Sequence, residues 1–328
     1  MKILYAVQGT GNGHITRAEH FLPHFAKYGK VDTLISASAY QINNSINFNY
    51  KLHGLGFTFG NKGGIDYLAT YKKNKIRRFW NEVKDLEVEK YDLVISDFEP
   101  ISAWACYKKN VPCIGLSNQV ALLSKDTPKP ITEDIAGLMV LKHYAPFTKG
   151  IGFHYQSNGE TIFNPIVRES VRNLTPNTSG PNVVYLPSYK DEIIVNTIME
   201  LADKQEWKIF SKRVLTPKII NNNIIIYPIN GKSFLKALAE AKGVVSAAGF
   251  STTSEALYLG KKLLVVPQKH QFEQQCNAMA LKKMGVVVSK SFKKKRLPKI
   301  NNWLLSDSSV KVQFQDQTPA VLNAIFNN

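Results

Sequence analysis

The sequence predicts an α/β protein of two domains, each built on a doubly wound parallel sheet. Short apolar runs alternate with helical segments, the arrangement that gives parallel sheets covered by helices. At 328 residues the chain has the length of about two ordinary domains. The strand pattern also restarts at residues 183–187, after an irregular stretch.

The elements follow in order. Ile3 to Val7 is a short apolar run that reads as a buried strand and leads directly into glycines, unlike a signal peptide. A helix to about Tyr28 follows, then a strand at 31–37. A strand at 92–96 ends in Ser96-Asp97, a helix covers 100–109, and a strand runs from Cys113 to Leu116. In the second half, residues 183–187 are followed by a helix at 191–204 and strands near 207–210 and 223–227. Val244-Val245 and Leu263 to Val266 are two further buried-strand runs, each leading through a loop into a helix.

Composition narrows the partners. The net charge of +17, from 42 basic and 25 acidic residues, implies an anionic partner: nucleic acid, phospholipid headgroups or phosphorylated substrates. In residues 67–80, Lys72, Lys73, Lys75, Arg77 and Arg78 interleave with Tyr67, Tyr71, Phe79 and Trp80, which suits an anionic membrane surface. A solvated face with a few core aromatics is the alternative. The run Lys293 to Arg296 lacks aromatics and reads as an exposed loop. No segment approaches the ~20 apolar residues that span a bilayer. Cys106, Cys113 and Cys276 show no CxxC spacing and suggest reduced thiols. The expected location is cytoplasmic, with the inner face of the plasma membrane as a peripheral site if residues 67–80 meet lipid.

Two loops carry the chemistry. At the first strand-to-helix turn, Gly9-Thr10-Gly11-Asn12-Gly13-His14 gives the backbone room to approach a ligand and ends in a titratable ring. A dinucleotide fingerprint needs G-x-G-x-x-G and an acid ending the second strand, and neither is present. His20 and His24 share a helical spacing, but Pro23 intervenes and no third ligand is evident, so no metal is expected there. Near the C-terminus, Ala247-Ala248-Gly249 opens a helix carrying Ser251, Thr252, Thr253, Ser254 and Glu255. The next strand-loop-helix unit delivers Glu273, Gln274 and Gln275. Open α/β sheets bind ligands at these strand ends, and a helix N-terminus suits phosphate. A carboxylate accepts from a ribose diol and Gln amides read sugar hydroxyls, so the set fits a nucleotide sugar. Thr252 and Glu255 also stand at capping-box spacing, which would make them a structural pair.

The pattern S-x-x-G-x-x-T-x-S-E, then G-K-x-L-x-V-x-P and E-Q-x-x-N-A, resembles the donor-binding signature of the GT-B glycosyltransferases. It is similar to that of the lipid-II-forming N-acetylglucosaminyltransferases, and to plant and antibiotic UDP-sugar enzymes. The resemblance implies two Rossmann-like domains facing a cleft. The segment TIFNPIVRES resembles the interdomain link, placing the boundary near 167. Residues 1–166 then bind the acceptor and 167–328 the donor, with a terminal helix that can pack back on the first domain. By the same resemblance, Gly11, Asn12 and Gly13 form the acceptor loop and His14 is the general base. A neutral histidine titrates in the useful range for deprotonating an acceptor hydroxyl, and Asp97 is the candidate that orients it. Gly249, Ser251, Thr252, Thr253 and Glu255 would hold the nucleotide diphosphate and ribose, and Glu273, Gln274 and Gln275 the sugar.

The expected reaction is inverting transfer of a hexose or N-acetylhexosamine from a UDP-sugar, without cofactor or metal, to an acceptor that lipid or lipid-linked sugar would fit. No Asp-x-Asp clamp is present, and helix dipoles would meet the leaving diphosphate. Ala247 stands where the lipid-II enzymes have arginine, and Pro187-Ser188-Tyr189-Lys190 replaces their second glycine-rich loop. Lys190, Lys212 and Arg213 are candidates for the missing positive charge. Two alternatives are a UDP-N-acetylglucosamine 2-epimerase-like isomerase and a basic nucleic-acid-binding protein without catalysis. The isomerase would need an acidic cluster that this chain does not show, and nucleic acid is not an expected partner because no binding motif is present.

Overall fold

The computed structural model describes residues 1–37, 46–56, 75–130, 134–201, 205–307 and 309–327. Among them, two seven-stranded sheets are built from consecutive halves of the chain. The first contains β1 (Lys2–Gln8), β2 (Lys30–Ser36), β3 (Tyr50–Leu52), β4 (Leu93–Asp97), β5 (Cys113–Ser117), β6 (Lys149–Phe153) and β7 (Ile162–Phe163). Their spatial order is β3-β2-β1-β4-β5-β6-β7, with every pairing parallel. The second contains β8 (Asn182–Tyr185), β9 (Trp207–Ser211), β10 (Lys218–Asn221), β11 (Ile224–Pro228), β12 (Gly243–Ser246), β13 (Lys262–Val265) and β14 (Val287–Val288). Its order is β10-β11-β9-β8-β12-β13-β14. Only the β10–β11 edge pair is antiparallel. In each sheet the order reverses beside the first strand, the switch point where open α/β sheets hold ligands.

Burial on both faces explains why these strands read as continuous apolar runs. Along β1, Ile3, Tyr5 and Val7 pack with Phe21, Phe25 and Phe153 on one face. Leu4 and Ala6 pack with Phe79, Ile101 and Cys106 on the other. In the second sheet, Val184, Ile209, Val245 and Leu264 pack with Ile194, Phe292 and Trp303, while Val183, Val244 and Val265 join Leu238, Ala256 and Leu281.

Boundaries shift by a few residues from the sequence reading. The first helix runs Asn12–Phe25 and tolerates Pro23 in its last turn, and the helix expected at 191–204 ends at Met199. The β10–β11 hairpin has no counterpart in the sequence reading, because β10 is four residues long and three of them are exposed. The terminal helix, Thr318–Phe326, packs against the first half of the chain. Phe326 stacks on Tyr28 at 3.8 Å and meets Phe25 edge-on at 5.9 Å. Lys149 Nζ donates to the Ala324 carbonyl at 2.7 Å, and His20 Nε2 lies 2.8 Å from Thr318 Oγ1.

The described part of the basic-aromatic segment, Lys75–Trp80, enters the Ile76–Asp85 helix, while residues 67–74 lie outside the described residues. Phe79 is core, and Trp80 is 38% exposed. No helix among the described residues is long and apolar enough to cross a membrane.

Candidate active site

The site forms where the C-terminal ends of the two sheets face each other. On the first sheet, β1 leads through Gly11, held at φ 111°, into the Asn12–Phe25 helix. That turn places His14 in the first helical turn, beside the end of β4, where Asp97 is fully buried. His14 Nδ1 lies 2.7 Å from Asp97 Oδ1. A carboxylate only accepts, so Nδ1 donates in this contact. Arg17, one turn further along the same helix, donates through Nε to Asp97 Oδ2 at 2.6 Å and through Nη2 to Oδ1 at 2.7 Å. Burial pushes the Asp97 carboxyl up, but Arg17 and His14 outweigh it and hold it below the usual aspartate range. Phe98 follows in the left-handed region at φ 53°, an uncommon conformation for a bulky residue, and its ring packs on Tyr144 at 4.8 Å.

On the second sheet, β12 ends in the Ala247–Gly249 loop and the Phe250–Tyr258 helix. Gly249 is the N-cap, so no side chain caps the first turn, and a Cβ there would meet open space. Thr252 lies inside the helix and Glu255 pairs elsewhere, which removes the capping-box alternative. Ser251 and Thr252 are partly exposed. Thr253 is fully buried, its hydroxyl bonded to the Gly249 carbonyl at 2.8 Å and Tyr155 at 2.7 Å. Glu255 is also buried, and Arg168 of the interdomain link donates to both its oxygens at 2.8 and 3.2 Å. Burial raises the Glu255 carboxyl, partly offset by Arg168.

The next helix, Phe272–Lys283, presents Glu273 in its first turn. Glu273 accepts from Asn118 Nδ2 at 2.9 Å and Gln119 Nε2 at 3.0 Å, both on the first domain after β5. Gln274 turns its side-chain oxygen to the Gln268 N–H at 3.0 Å, and Gln275 is partly buried nearby. Asn277 ties this helix to the loop by donating to the Ala248 carbonyl at 3.0 Å.

The halves meet closely. A Cβ at Gly13 would fall 2.5 Å from Ser251 Oγ, so glycine lets the two helix starts approach. The turn that carries Gly13 and His14, with Asp97 behind it, therefore packs against the Gly249–Ser251 helix start, while Asn12 contributes the first residue of its helix. Arg17, Arg168, Asn118 and Gln119 were not singled out in the sequence. Arg17 carries a local signal, its spacing of three from His14, and Arg168 lies in the TIFNPIVRES segment; Asn118 and Gln119 make contacts distant along the chain. Of the candidate cations, Lys190 and Lys212 are exposed, and Arg213 reaches Asp191 at 3.5 Å.

Comparison with known proteins decides the family. The pattern that defines glycosyl transferase family 1 matches residues 1–305. The chain belongs to that family. It is therefore a glycosyltransferase, and the isomerase and non-catalytic alternatives give way. A Methanosarcina mazei protein named as an uncharacterized glycosyltransferase is 25% identical over 324 residues, covering 87% of this chain and 84% of that protein. A Methanosarcina acetivorans protein of the same name is 24% identical over 326 residues, with the same coverage, 87% and 84%. Among solved structures, Acinetobacter baumannii MurG superposes with a TM-score of 0.55 at 14% identity, covering 93% of this chain and 90% of its own. Phytolacca americana UGT2, complexed with UDP-2fluoro-glucose and pterostilbene, gives 0.58 at 12% identity, covering 93% and 90%. The likeness of these structures shows the fold, which is GT-B.

The Asp97 carboxylate yields a stability prediction. Its depressed ionisation contributes stability that is present above the unfolded value, about 3.9, and lost as pH falls through the lower folded value. Removing one member of a buried ion pair costs ~3–5 kcal/mol. Asp97→Asn should lower urea-unfolding stability by about that amount at pH 7 and at pH 5. The gap to wild type should narrow only below about pH 4, and an equal gap at pH 3 would contradict the assignment.

Proposed function

We propose that this glycosyltransferase moves a hexose or N-acetylhexosamine from a UDP-sugar to an acceptor hydroxyl with inversion and without a metal. The observation that carries the reading is the His14–Asp97 pair at 2.7 Å on one domain, facing an uncapped helix N-terminus on the other. With Nδ1–H held by Asp97, the Nε2 lone pair is free to take the proton of an attacking hydroxyl. Asp97 then steadies the imidazolium that forms.

The first-turn N–H groups of the Phe250–Tyr258 helix would receive the diphosphate, whose charge the helix dipole favours. Glu255 would meet the ribose. Its oxygens already serve Arg168, but a carboxylate offers about four lone-pair sites and can accept further bonds. Glu273, Gln274 and Gln275 would read the sugar. The solved UGT2 complex holds a UDP-sugar analogue in a chain of this fold, which supports a donor of that class.

A lipid-linked acceptor is favoured by one surface. Trp80, 38% exposed, packs edge-on to Trp104, which meets Tyr107, 66% exposed; Lys108 lies over the Trp80 ring at 4.8 Å. Exposed aromatics beside cations suit the headgroup region of an anionic bilayer.

UDP should raise the melting temperature, whereas adenosine diphosphate should not. His14→Ala should keep the UDP shift and lose ~10²–10⁴ in turnover. Near-wild-type turnover by His14→Ala would remove the base assignment. The surface reading is checked by sedimentation with vesicles. Binding should require phosphatidylglycerol, weaken with salt and fall in Trp80→Ser/Tyr107→Ser; equal binding by that variant would exclude this face.

A further inference from the structure

We infer that Arg17 is a positioning residue of the proposed base: by balancing the charge of Asp97 it keeps the His14 ring uncharged and its Nε2 lone pair available. The inference rests on the reading of His14 as the base.

The geometry is that of a three-member cluster. Arg17 is 5% exposed and its guanidinium lies over the Phe153 ring at 5.5 Å. Its two bonds to Asp97 fix the carboxylate plane and leave Oδ1 turned to His14. Arg17 Nη2 also lies 3.1 Å from His14 Nδ1. Both nitrogens carry protons directed at Oδ1, so this is a contact between two donors converging on one acceptor.

Counting charge gives the consequence. Asp97 and Arg17 sum to zero when His14 is neutral, and an imidazolium would make the cluster positive. The site is buried and lies at a helix N-terminus, where added positive charge is unfavourable. Two other titratable groups face the cluster. Tyr5 on β1 is held far from ionisation by burial and by Asp97. Glu273 of the second domain acts on Arg17 and is bonded by the Asn118 and Gln119 amides; its contribution is common to the wild type and the Arg17 variants, so a difference between them reports Arg17. Without Arg17, the Asp97 carboxylate is a buried anion lacking a compensating cation. Protonation of His14 then restores neutrality, and it removes the base at neutral pH.

The test uses the full chain with ¹⁵N-labelled histidine and no ligand. At pH 7 the wild-type His14 ring should carry a proton on Nδ1 alone. In Arg17→Gln both ring nitrogens should be protonated, and Arg17→Lys, which keeps the charge, should retain the singly protonated ring. With a UDP-sugar and an acceptor, Arg17→Gln should lose turnover ~10–100-fold at pH 7 and regain much of it by pH 9, as the ring gives up its proton. A folded Arg17→Gln protein with a wild-type ring at pH 7 would overturn the inference. If Arg17→Gln does not fold, Asp97→Asn tests the same balance from the other side. Its cluster is already positive, so His14 should remain singly protonated at pH 5, and a doubly protonated ring there would also overturn it. Near-wild-type turnover by His14→Ala would defeat the base reading while leaving these ring measurements intact.

Discussion

A single buried carboxylate holds the candidate active site together. Asp97 is removed from water at the end of β4, where an unpaired charge is costly, and two side chains of one helix compensate it. Because both partners lie on the Asn12–Phe25 helix, the pairing fixes that helix's rotation as well as the His14 ring. The glycine turn before the helix sets its starting point. The adjacent left-handed Phe98 indicates that the strand end is held against local preference, as at many functional sites.

The second domain supplies a complementary end: a helix start left open by Gly249, and acidic side chains already engaged by partners from outside their own sheet. Arg168 holds Glu255, while Asn118 and Gln119 hold Glu273. In the proposed reaction, both carboxylates would exchange or extend these contacts when a donor enters. The Asn118 and Gln119 amides of the first domain bond Glu273 as sugar hydroxyls would. That arrangement ties donor binding to the relative position of the two domains, the usual setting for a closure step.

Much of this was legible in the sequence because parallel strands buried on both faces leave uninterrupted apolar runs. Ile3 to Val7 and Val244-Val245 lie within strands, and the run Leu263 to Val266 supplies β13, which ends at Val265. The glycine turn and the Ala247–Gly249 loop stood where the topology places ligand sites. The exposed β10 hairpin and the glycine-containing β6 were less visible, since neither presents a long apolar run. Arg17 escaped notice because surface-type residues on helices are common, and its burial depends on Asp97, 80 residues away in the chain. Asn118 and Gln119 act through pairings between domains, and Arg168 through a partner 87 residues away in the chain, contacts that no local pattern encodes. Thr253 shows the converse: a hydroxyl suited to phosphate that the helix instead turns inward to Tyr155.

In the proposed reaction the donor diphosphate sits on the open helix start of the second domain, opposite His14. Residue-resolved amide hydrogen exchange with and without UDP tests it most directly. Exchange should slow at the amides of Phe250, Ser251 and Thr252, with weaker effects in the Phe272–Lys283 helix. UDP binding that leaves those three amides unchanged, or that protects only residues 1–166, would contradict it.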